Sequence, residues 1–393
     1  MSTVRYVIVG GGMTAEAALR GIRSVDPSGE AVIIASEHVP PYNRPPLSKS
    51  LWKGEPENSI WRKSPGDHVE LRLGRTATSI DPGRKTVTER EGQSYTYEKL
   101  LLATGGSVRR LSPEVEGIIY FRTLDDYHAL RALCERGNTF AVIGGGFIGS
   151  EIAAALAMND KSVAMIFPDP GIGARVYPAT ISHFLSEYFR GKGVEVRSGE
   201  TVASISRAGA RYELRTSTGR QMTVDGVVAG LGIEPNIDLA RAARLTVDNG
   251  IRVDRLLRTS QRDIFAAGDV ARFHASALDK FIRAEHEDNA NAMGEVAGKN
   301  MAGAEVPYDH LPSFYSDLFD LGYEAVGELD AHLETFEDWK VEFREGVVYY
   351  LQNARVRGVL LWNVWGKVDE ARALIAEHGP FRASDLKGRL TNS

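Results

Sequence analysis

The sequence predicts an α/β protein that contains two Rossmann-like units followed by a C-terminal α+β domain. Three observations predict this fold. An apolar strand, a turn of three glycines and an Ala-rich helix follow one another at residues 140–158, and a similar pattern opens the chain at residues 5–24. Each copy leads into a second apolar strand that ends near a carboxylate. Beyond residue 312 the glycine pattern stops, and short apolar segments with aromatic residues predict strands.

The composition is that of an ordinary globular protein. The chain has 393 residues, of which 43% are hydrophobic and 25% charged, with a net charge of −5. This length suffices for two or three domains. No basic cluster predicts a nucleic-acid surface, and no apolar stretch has the length of a membrane span. The first residues lack the basic segment and apolar core of a signal peptide, so we expect a cytoplasmic protein.

The chain contains a single cysteine, Cys134, and nine histidines without metal-ligand spacing. One cysteine cannot form an intramolecular disulfide or a CxxC redox motif. We therefore expect no metal site and no redox disulfide, and we interpret Cys134 as a small buried residue of a helix at residues 127–136 rather than a reactive thiol.

The second glycine turn has the spacing of a dinucleotide-binding fingerprint. Gly144 permits the tight turn, Gly146 allows the backbone to approach a pyrophosphate, and Gly149 allows helix and strand to pack closely. The next strand, residues 162–167, leads to Asp169, which lies where a carboxylate accepts the ribose hydroxyls of NAD. The strand–turn–helix context makes this interpretation specific.

The first glycine turn repeats the fingerprint 134 positions earlier, with Gly10 and Gly12 in place and Ala15 at the third position. The strand at residues 31–35 then leads to Glu37, the second candidate for a ribose-binding carboxylate. Two copies predict two dinucleotide sites in one chain.

Residues 40–52 are rich in proline and carry Arg44 and Lys49 on the two sides of a Pro-Pro pair. Proline disfavours helix, so we expect a stiff, extended segment. Such a segment holds a cation against a cofactor, or else it is a surface linker with solvated charges.

The remaining elements follow from apolar periodicity and turn residues. Strands are predicted at residues 76–81, 85–89 and 94–97, around residue 194, and at residues 202–205, 211–216, 223–228, 323–327, 333–339, 340–344, 347–351 and 357–362. Two further strands are predicted to lead into glycine turns, residues 99–106 into Thr-Gly-Gly and residues 263–270 into Gly-Asp. Helices are predicted at residues 179–191, 284–302 and 366–379.

At this level of detail the chain resembles a known family. The two fingerprints with LLATGG and IFAAGDV are similar to the glutathione reductase-like flavoproteins, that is, the FAD/NAD-dependent pyridine nucleotide-disulfide oxidoreductase superfamily. Within it, PYNRPPLSK, GGGFIGSEI, GLGIEPN, EHEDNA, FYSDL and GYEAVG resemble the apoptosis-inducing factor and ferredoxin reductase branch. The C-terminal GVVYYL and GVLLWNVW are similar to apoptosis-inducing factor in particular.

The resemblance implies FAD in the first unit and NADH in the second. Residues 1–112 and 248–311 would form the FAD domain, residues 113–247 the NADH domain, and residues 312–393 a C-terminal domain with an interface role. The residues that match FAD-contacting positions are Gly10, Gly12, Ala15, Glu37, Arg44, Lys49, Ala77, Thr104, Gly105 and Asp269. Those that match the nicotinamide side are Gly144, Gly146, Phe147, Gly149, Asp169, Arg175, Gly232, Glu285, His286 and Tyr315.

The resemblance also implies a role for an ion pair. Lys49 and Glu151 match a family pair beside the flavin, where we expect Lys49 to stabilise negative charge and Glu151 to orient it. Phe147 is expected to cover the flavin, with Tyr315, a tryptophan in apoptosis-inducing factor, packing opposite it. His286 is either a catalytic group or a capping and packing residue. Asp169 favours NADH, although Arg175 nearby offers a partner for the 2′-phosphate of NADPH.

The electron acceptor stays open at this stage. The cysteine pair of the disulfide reductases would lie near residues 40–50 and is absent, so electrons must leave reduced FAD directly. One class of acceptor is a ferredoxin- or rubredoxin-like iron–sulfur protein, and a second comprises quinones, dyes or O2. The alternative is a slow NADH-binding redox sensor that forms a charge-transfer complex and becomes a homodimer on reduction. The mitochondrial leader and the long C-terminal insertion of the animal apoptosis-inducing factor are also missing, which favours the reductase.

Overall fold

The computed structural model describes residues 2–63 and 66–391, which form two compact units. The first comprises Met1–Arg44, Glu57–Ser107 and Glu234–Ser313, and the second Pro45–Pro56, Val108–Ile233 and Phe314–Ser393. Each unit contains one glycine fingerprint. The predicted α/β class with a sheet-rich C-terminal region is confirmed.

The first unit is built on a mixed sheet. Its central strand, Ser2–Val9, pairs in parallel with Ala31–Ala35 on one side and Ser94–Leu102 on the other. The full order is Val69–Leu73, Ala31–Ala35, Ser2–Val9, Ser94–Leu102, Thr86–Glu89 and Ala77–Asp81, with Ile264–Ala266 also paired to Ser94–Leu102. The helices Met13–Arg23 and Glu287–Met301 pack so closely that a Cβ at Gly298 would lie 1.9 Å from the Ala18 carbonyl oxygen.

The other elements of the first unit are short. A small sheet has the order Val247–Asp248, Gly250–Arg252, Ala271–Ala275 and Lys280–Ile282. One short α-helix, Asp238–Ala242, and the 3₁₀ turns Glu57–Ile60, Gly268–Val270 and Ser276–Leu278 complete it. The strands Gly106–Val108 and Ile233–Pro235 lie where the chain passes from one unit to the other.

The second unit contains a parallel sheet around the strand Thr139–Ile143. The order is Glu195–Ser198, Ser162–Phe167, Thr139–Ile143, Gly226–Ala229 and Ile119–Tyr120. The helices of this part are Leu124–Arg136, Phe147–Met158 and Ala179–Gly191. An antiparallel sheet of Val202–Ala208, Arg211–Thr216 and Gln221–Val224 packs on it through the buried side chains of Tyr212 and Leu214.

The C-terminal region of the second unit is a further sheet with two helices. Its order is Ser313–Leu318, Leu321–Gly327, Arg355–Trp362, Glu345–Gln352 and Glu334–Val341. The helix Val368–Ala376 covers one face through Leu374 and Ile375, and the short helix Ala383–Leu386 follows. The strand Ser313–Leu318 alternates in burial, so that Ser316 and Leu318 are buried whereas Tyr315 is exposed.

Several predicted elements are wrong. The single strand predicted at residues 223–228 is two strands in different sheets, Gln221–Val224 and Gly226–Ala229. Residues 94–97 and 99–106 are not two separate strands, because Ser94–Leu102 is continuous; as predicted, this strand ends before the glycines at residues 105 and 106. The strand predicted at residues 340–344 is the end of Glu334–Val341 and a turn with Phe343 at a φ of 55°. The proline-rich segment is not fully extended but forms the 3₁₀ turns Pro45–Ser48 and Ser50–Lys53. Proline is tolerated there because the first residues of a helical turn need no N–H donor.

Candidate functional site

The first fingerprint has the geometry of a phosphate cradle. Gly10 has a φ of 121°, and a Cβ at this residue would lie 2.1 Å from the Ala103 carbonyl oxygen, so only glycine fits. Gly12 is the N-cap of the helix Met13–Arg23 and makes no side-chain capping bond. A Cβ at Gly12 would have no described heavy atom within 4 Å. The first amides of the helix therefore face space that suits an anion.

The second fingerprint has the same geometry. Gly144 has a φ of 118° and approaches the Gly230 carbonyl, and Gly146 caps the helix Phe147–Met158. A Cβ at Gly146 would again meet no described heavy atom within 4 Å. Gly149 packs the helix on the turn, because a Cβ there would lie 2.1 Å from the Gly144 carbonyl oxygen. Both cradles thus fit the pyrophosphate of a dinucleotide.

The two candidate ribose carboxylates are held by neighbouring side chains. Glu37 accepts a hydrogen bond of 2.7 Å from the Tyr42 hydroxyl and forms an ion pair with Arg44. Its side chain remains 28% exposed, which leaves room for a ligand. Asp169 accepts a hydrogen bond of 3.1 Å from Nε of Arg175, whose side chain is 76% exposed.

Asp269 lies close to both Arg44 and His286. The Asp269 carboxylate acts electrostatically on both Arg44 and His286. His286 precedes the helix Glu287–Met301 and is half-buried. Burial lowers the pKa of His286 to about 4, and the nearby carboxylates of Asp269 and Asp288 only partly oppose this shift. The imidazole is therefore neutral at physiological pH.

The turn at Thr104 is braced by Asn236. The Thr104 hydroxyl donates to the Asn236 carbonyl over 2.8 Å, and the Asn236 side-chain amide donates back to the Thr104 carbonyl over 2.8 Å. The Asn236 backbone N–H donates to the Gly105 carbonyl over 3.0 Å. These bonds fix the turn at the end of a buried strand, where a ligand would approach its backbone.

Lys49 and Glu151 form a buried ion pair in the second unit. Nζ of Lys49 lies 2.8 Å from Oε2 of Glu151, and the two side chains are 10% and 2% exposed. The hydroxyl of Ser48 donates to the same oxygen over 2.6 Å, and the hydroxyl of Ser316 donates to Oε1 over 2.6 Å. Three donors therefore hold one carboxylate.

Three aromatic residues of the same unit, Phe147, Phe314 and Tyr315, neighbour Glu151 or Ser316 in sequence or contact Lys49. The Phe147 and Phe314 ring centroids are 5.3 Å apart. Tyr315 lies on the opposite face of its strand, 41% exposed, with its ring centroid 5.3 Å from Nζ of Lys49. A ring at this distance favours a nearby cation.

The candidate residues divide between the units. Those in the first unit are Gly10, Gly12, Ala15, Glu37, Arg44, Ala77, Thr104, Gly105, Asp269, Glu285 and His286. Those in the second unit are Lys49, Gly144, Gly146, Phe147, Gly149, Glu151, Asp169, Arg175, Gly232 and Tyr315.

The remaining candidate residues are Ala77, Glu285 and Gly232. Ala77 is buried in the strand Ala77–Asp81, and Glu285 pairs with Arg283. Gly232 has a φ of 82°, and its carbonyl accepts the Arg109 N–H.

Sequence reasoning missed Ser48, Ser316 and Phe314. Ser48 and Ser316 stand inside the family-like segments PYNRPPLSK and FYSDL, but no periodicity distinguishes a serine that bonds to a distant carboxylate. Over residues 2–63 and 66–391, no group of His, Cys, Asp and Glu converges as metal ligands. No helix in that described part is long and apolar enough to cross a membrane.

Two dinucleotide cradles in one chain, each followed by a carboxylate, define an oxidoreductase of the class that binds FAD and NAD(H). Residues 4–294 match the family described as pyridine nucleotide-disulphide oxidoreductase, and the chain belongs to this family. Residues 297–341 and 336–377 match the family described as apoptosis-inducing factor, mitochondrion-associated, C-term. The predicted superfamily and cofactors are thereby confirmed, and the chain is an FAD-dependent NAD(P)H oxidoreductase.

Relatives that are named as reductases align with most of this chain. Monodehydroascorbate reductase 2 of Arabidopsis thaliana is 34% identical over 96% of this chain and 94% of its own length. The ferredoxin–NAD(+) reductase component of the anthranilate 1,2-dioxygenase system of Burkholderia cepacia is 35% identical over 83% of this chain and 82% of its own. A crystal structure of a covalent putidaredoxin reductase–putidaredoxin complex matches with a TM-score of 0.91 at 29% identity, over 98% of this chain and 95% of the other.

Proposed function

We propose that this chain takes a hydride from NADH onto FAD and passes the electrons to a small iron–sulfur protein of the ferredoxin or rubredoxin type. The observation that carries the proposal is the single cysteine in a chain of this family, since electrons without a redox dithiol must leave the flavin directly. The similarity to a ferredoxin–NAD(+) reductase component supports a protein acceptor.

The proposal also assigns a role to each region of the chain. Residues 1–112 and 248–311 bind FAD, residues 113–247 bind NADH, and residues 312–393 form an interface domain. The Gly12 and Gly146 cradles hold the two pyrophosphates, and Glu37 and Asp169 accept ribose hydroxyls.

The side chains around Lys49 orient and insulate the reaction. FAD, when bound, supplies the hydride-accepting and electron-releasing chemistry. Lys49 would hold a fixed positive charge beside bound FAD, where it would stabilise negative charge, and Glu151 orients the Lys49 ammonium. Phe147 and Tyr315 exclude water from the reacting rings. His286, neutral because burial lowers its pKa to about 4, contributes packing and hydrogen bonding without a positive charge.

NADH is the proposed donor in preference to NADPH. A 2′-phosphate would meet the Asp169 carboxylate, and its candidate partner Arg175 is already paired with that carboxylate at 3.1 Å.

Anaerobic reduction with NADH, followed by rapid mixing with candidate acceptors, tests the proposal. We expect fast reoxidation by a ferredoxin or rubredoxin and slow reoxidation by O2. Cytochrome c serves as the final readout and should be reduced rapidly only when the iron–sulfur protein is added. Reoxidation at equal rates with and without that protein would contradict the proposal.

A second candidate function is reduction of a small acceptor such as a quinone or O2. The similarity to monodehydroascorbate reductase 2 over nearly the whole of both chains favours this class and adds the monodehydroascorbate radical to it. Saturable, fast reoxidation by one of these molecules in the same mixing experiment would select it.

A third candidate is a slow redox sensor. The match to the C-terminal region of apoptosis-inducing factor favours it. An oxygen-stable charge-transfer band after addition of NADH, together with a shift from monomer to homodimer in light scattering, would select this function over the reductase.

A further inference from the structure

The Glu151 carboxylate is held from two directions by segments far apart in sequence. Lys49 and Ser48, from the proline-rich segment, both bond to Oε2. Ser316, from the C-terminal sheet, bonds to Oε1. Ser316 is 1% exposed, so within the described chain it is as buried as the residues of a core.

Ser316 is itself fixed by a layer of aromatic residues. The Ser316 side chain lies close enough to the Tyr323 hydroxyl to act on its pKa, and this hydroxyl accepts a hydrogen bond of 2.7 Å from the Tyr177 hydroxyl. Burial raises the pKa of both tyrosines well above the ordinary value, so both keep their protons. The Tyr323 ring stacks on Trp362 with centroids 5.9 Å apart and an interplanar angle of 6°. The hydroxyl of Ser316 therefore has little freedom to rotate.

We propose that Ser316 is a positioning residue that sets the direction of the Lys49 ammonium through Glu151. This inference rests on the proposed role of Lys49 and assigns the C-terminal sheet a part in the reaction. With Oε1 anchored by Ser316, Oε2 is directed at Lys49. Without that hydroxyl, a buried oxygen loses its donor, the carboxylate rotates to find another, and Lys49 follows it.

The variant Ser316→Ala tests this inference, and Thr216→Val is its matched control. Thr216 is also 1% exposed, and its hydroxyl is hydrogen-bonded to Thr218, which donates to the buried Glu200 carboxylate within the same unit. Lys49 is probed directly by the rate of its acetylation with an N-hydroxysuccinimide ester, measured by mass spectrometry. Hydride transfer is followed separately by stopped-flow reduction with NADH.

We expect Ser316→Ala to increase acetylation of Lys49 several-fold and to slow hydride transfer about tenfold, with the Kd for NADH unchanged. Thr216→Val should change neither rate. Ser316→Thr, which keeps a hydroxyl, should restore most of the hydride-transfer rate. Ser48→Ala should slow the reaction less, because Lys49 still holds Oε2.

Equal acetylation of Lys49 in Ser316→Ala and the unmodified protein would overturn the inference. If Ser316→Ala does not fold, Tyr323→Phe applies the same test, because it removes the hydroxyl that lies beside Ser316. The outcomes separate the two proposals. Faster acetylation with an unchanged hydride-transfer rate would retain Ser316 as a positioning residue but remove Lys49 from the reaction.

Discussion

Nζ of Lys49 lies 2.8 Å from Oε2 of Glu151, although 102 positions separate the two residues. Both charges are nearly excluded from solvent, at 10% and 2% exposure. Burying two charges costs about as much free energy as their attraction returns, so such a pair is a weak source of stability. A requirement for a fixed positive charge at this position explains the buried pair better than a contribution to stability does.

Lys49→Met should therefore separate catalysis from stability. We expect the stopped-flow rate of reduction by NADH to fall about 100-fold while FAD remains bound. The variant alone leaves Glu151 buried without its cation, which destabilises by about 3–5 kcal/mol. The double variant Lys49→Met with Glu151→Gln should recover most of the stability and none of the rate.

Lys53→Met is the matched control for this prediction. Lys53 lies in the same segment and pairs with Asp317, but its side chain is 41% exposed. An exposed pair contributes about 0–1 kcal/mol, so neither stability nor rate should change measurably. A Lys49→Met protein that is reduced as fast as the unmodified one would exclude Lys49 from the reaction.

Two substitutions in the second glycine fingerprint should have different effects, one on NADH binding and the other on stability. A Cβ at Gly146 enters open space, so Gly146→Ala should weaken NADH binding and leave the melting temperature unchanged. A Cβ at Gly149 would lie 2.1 Å from a backbone oxygen, so Gly149→Ala should destabilise the protein by about 1–3 kcal/mol. Titration with NADH and thermal unfolding distinguish them. Normal NADH affinity in Gly146→Ala would contradict a pyrophosphate at this turn.

Donor preference depends on Asp169 and Arg175. In the unmodified protein Arg175 is paired with the Asp169 carboxylate at 3.1 Å. Asp169→Ser removes this carboxylate and so releases the Arg175 guanidinium. Removing a repulsion of about 1 kcal/mol should raise kcat/KM for NADPH about fivefold. The double variant with Arg175→Ala should keep this part of the gain and lose any further gain that the released Arg175 guanidinium contributes. Equal kcat/KM for NADPH and NADH in the unmodified protein would contradict the proposed preference.

The fold and both fingerprints were predictable because they are encoded locally. Gly10 and Gly144 each follow an apolar strand directly, and their positive φ is a property of the turn itself. The proline-rich segment was misjudged because proline excludes helix interiors but not the first residues of a 3₁₀ turn.

The cluster around Glu151 was only partly predictable. Lys49 and Glu151 came from a family resemblance, whereas Ser48 and Ser316 required the structure. Ser316 is 165 positions from Glu151, and its contact exists only because one strand places it on the inward face while Tyr315 faces outward. Alternation along a strand of only six residues gives no sign of which face meets the carboxylate.

His286 should make the protein less stable in mild acid. Its pKa of about 4 in the folded chain lies below the ordinary value of about 6.5 for an unfolded histidine. Between these values the unfolded chain binds a proton that the folded chain does not, so the free energy of unfolding falls as the pH decreases from about 6.5 towards 4. Above about pH 6.5 this contribution is constant.

His286→Gln removes the titrating group, and His332→Gln, at a side chain 87% exposed, is the control. Thermal unfolding at pH 7.5 and pH 5.0 with saturating FAD should show a smaller loss of melting temperature in His286→Gln than in the control. An identical loss in both variants would show that protonation of His286 is not coupled to unfolding.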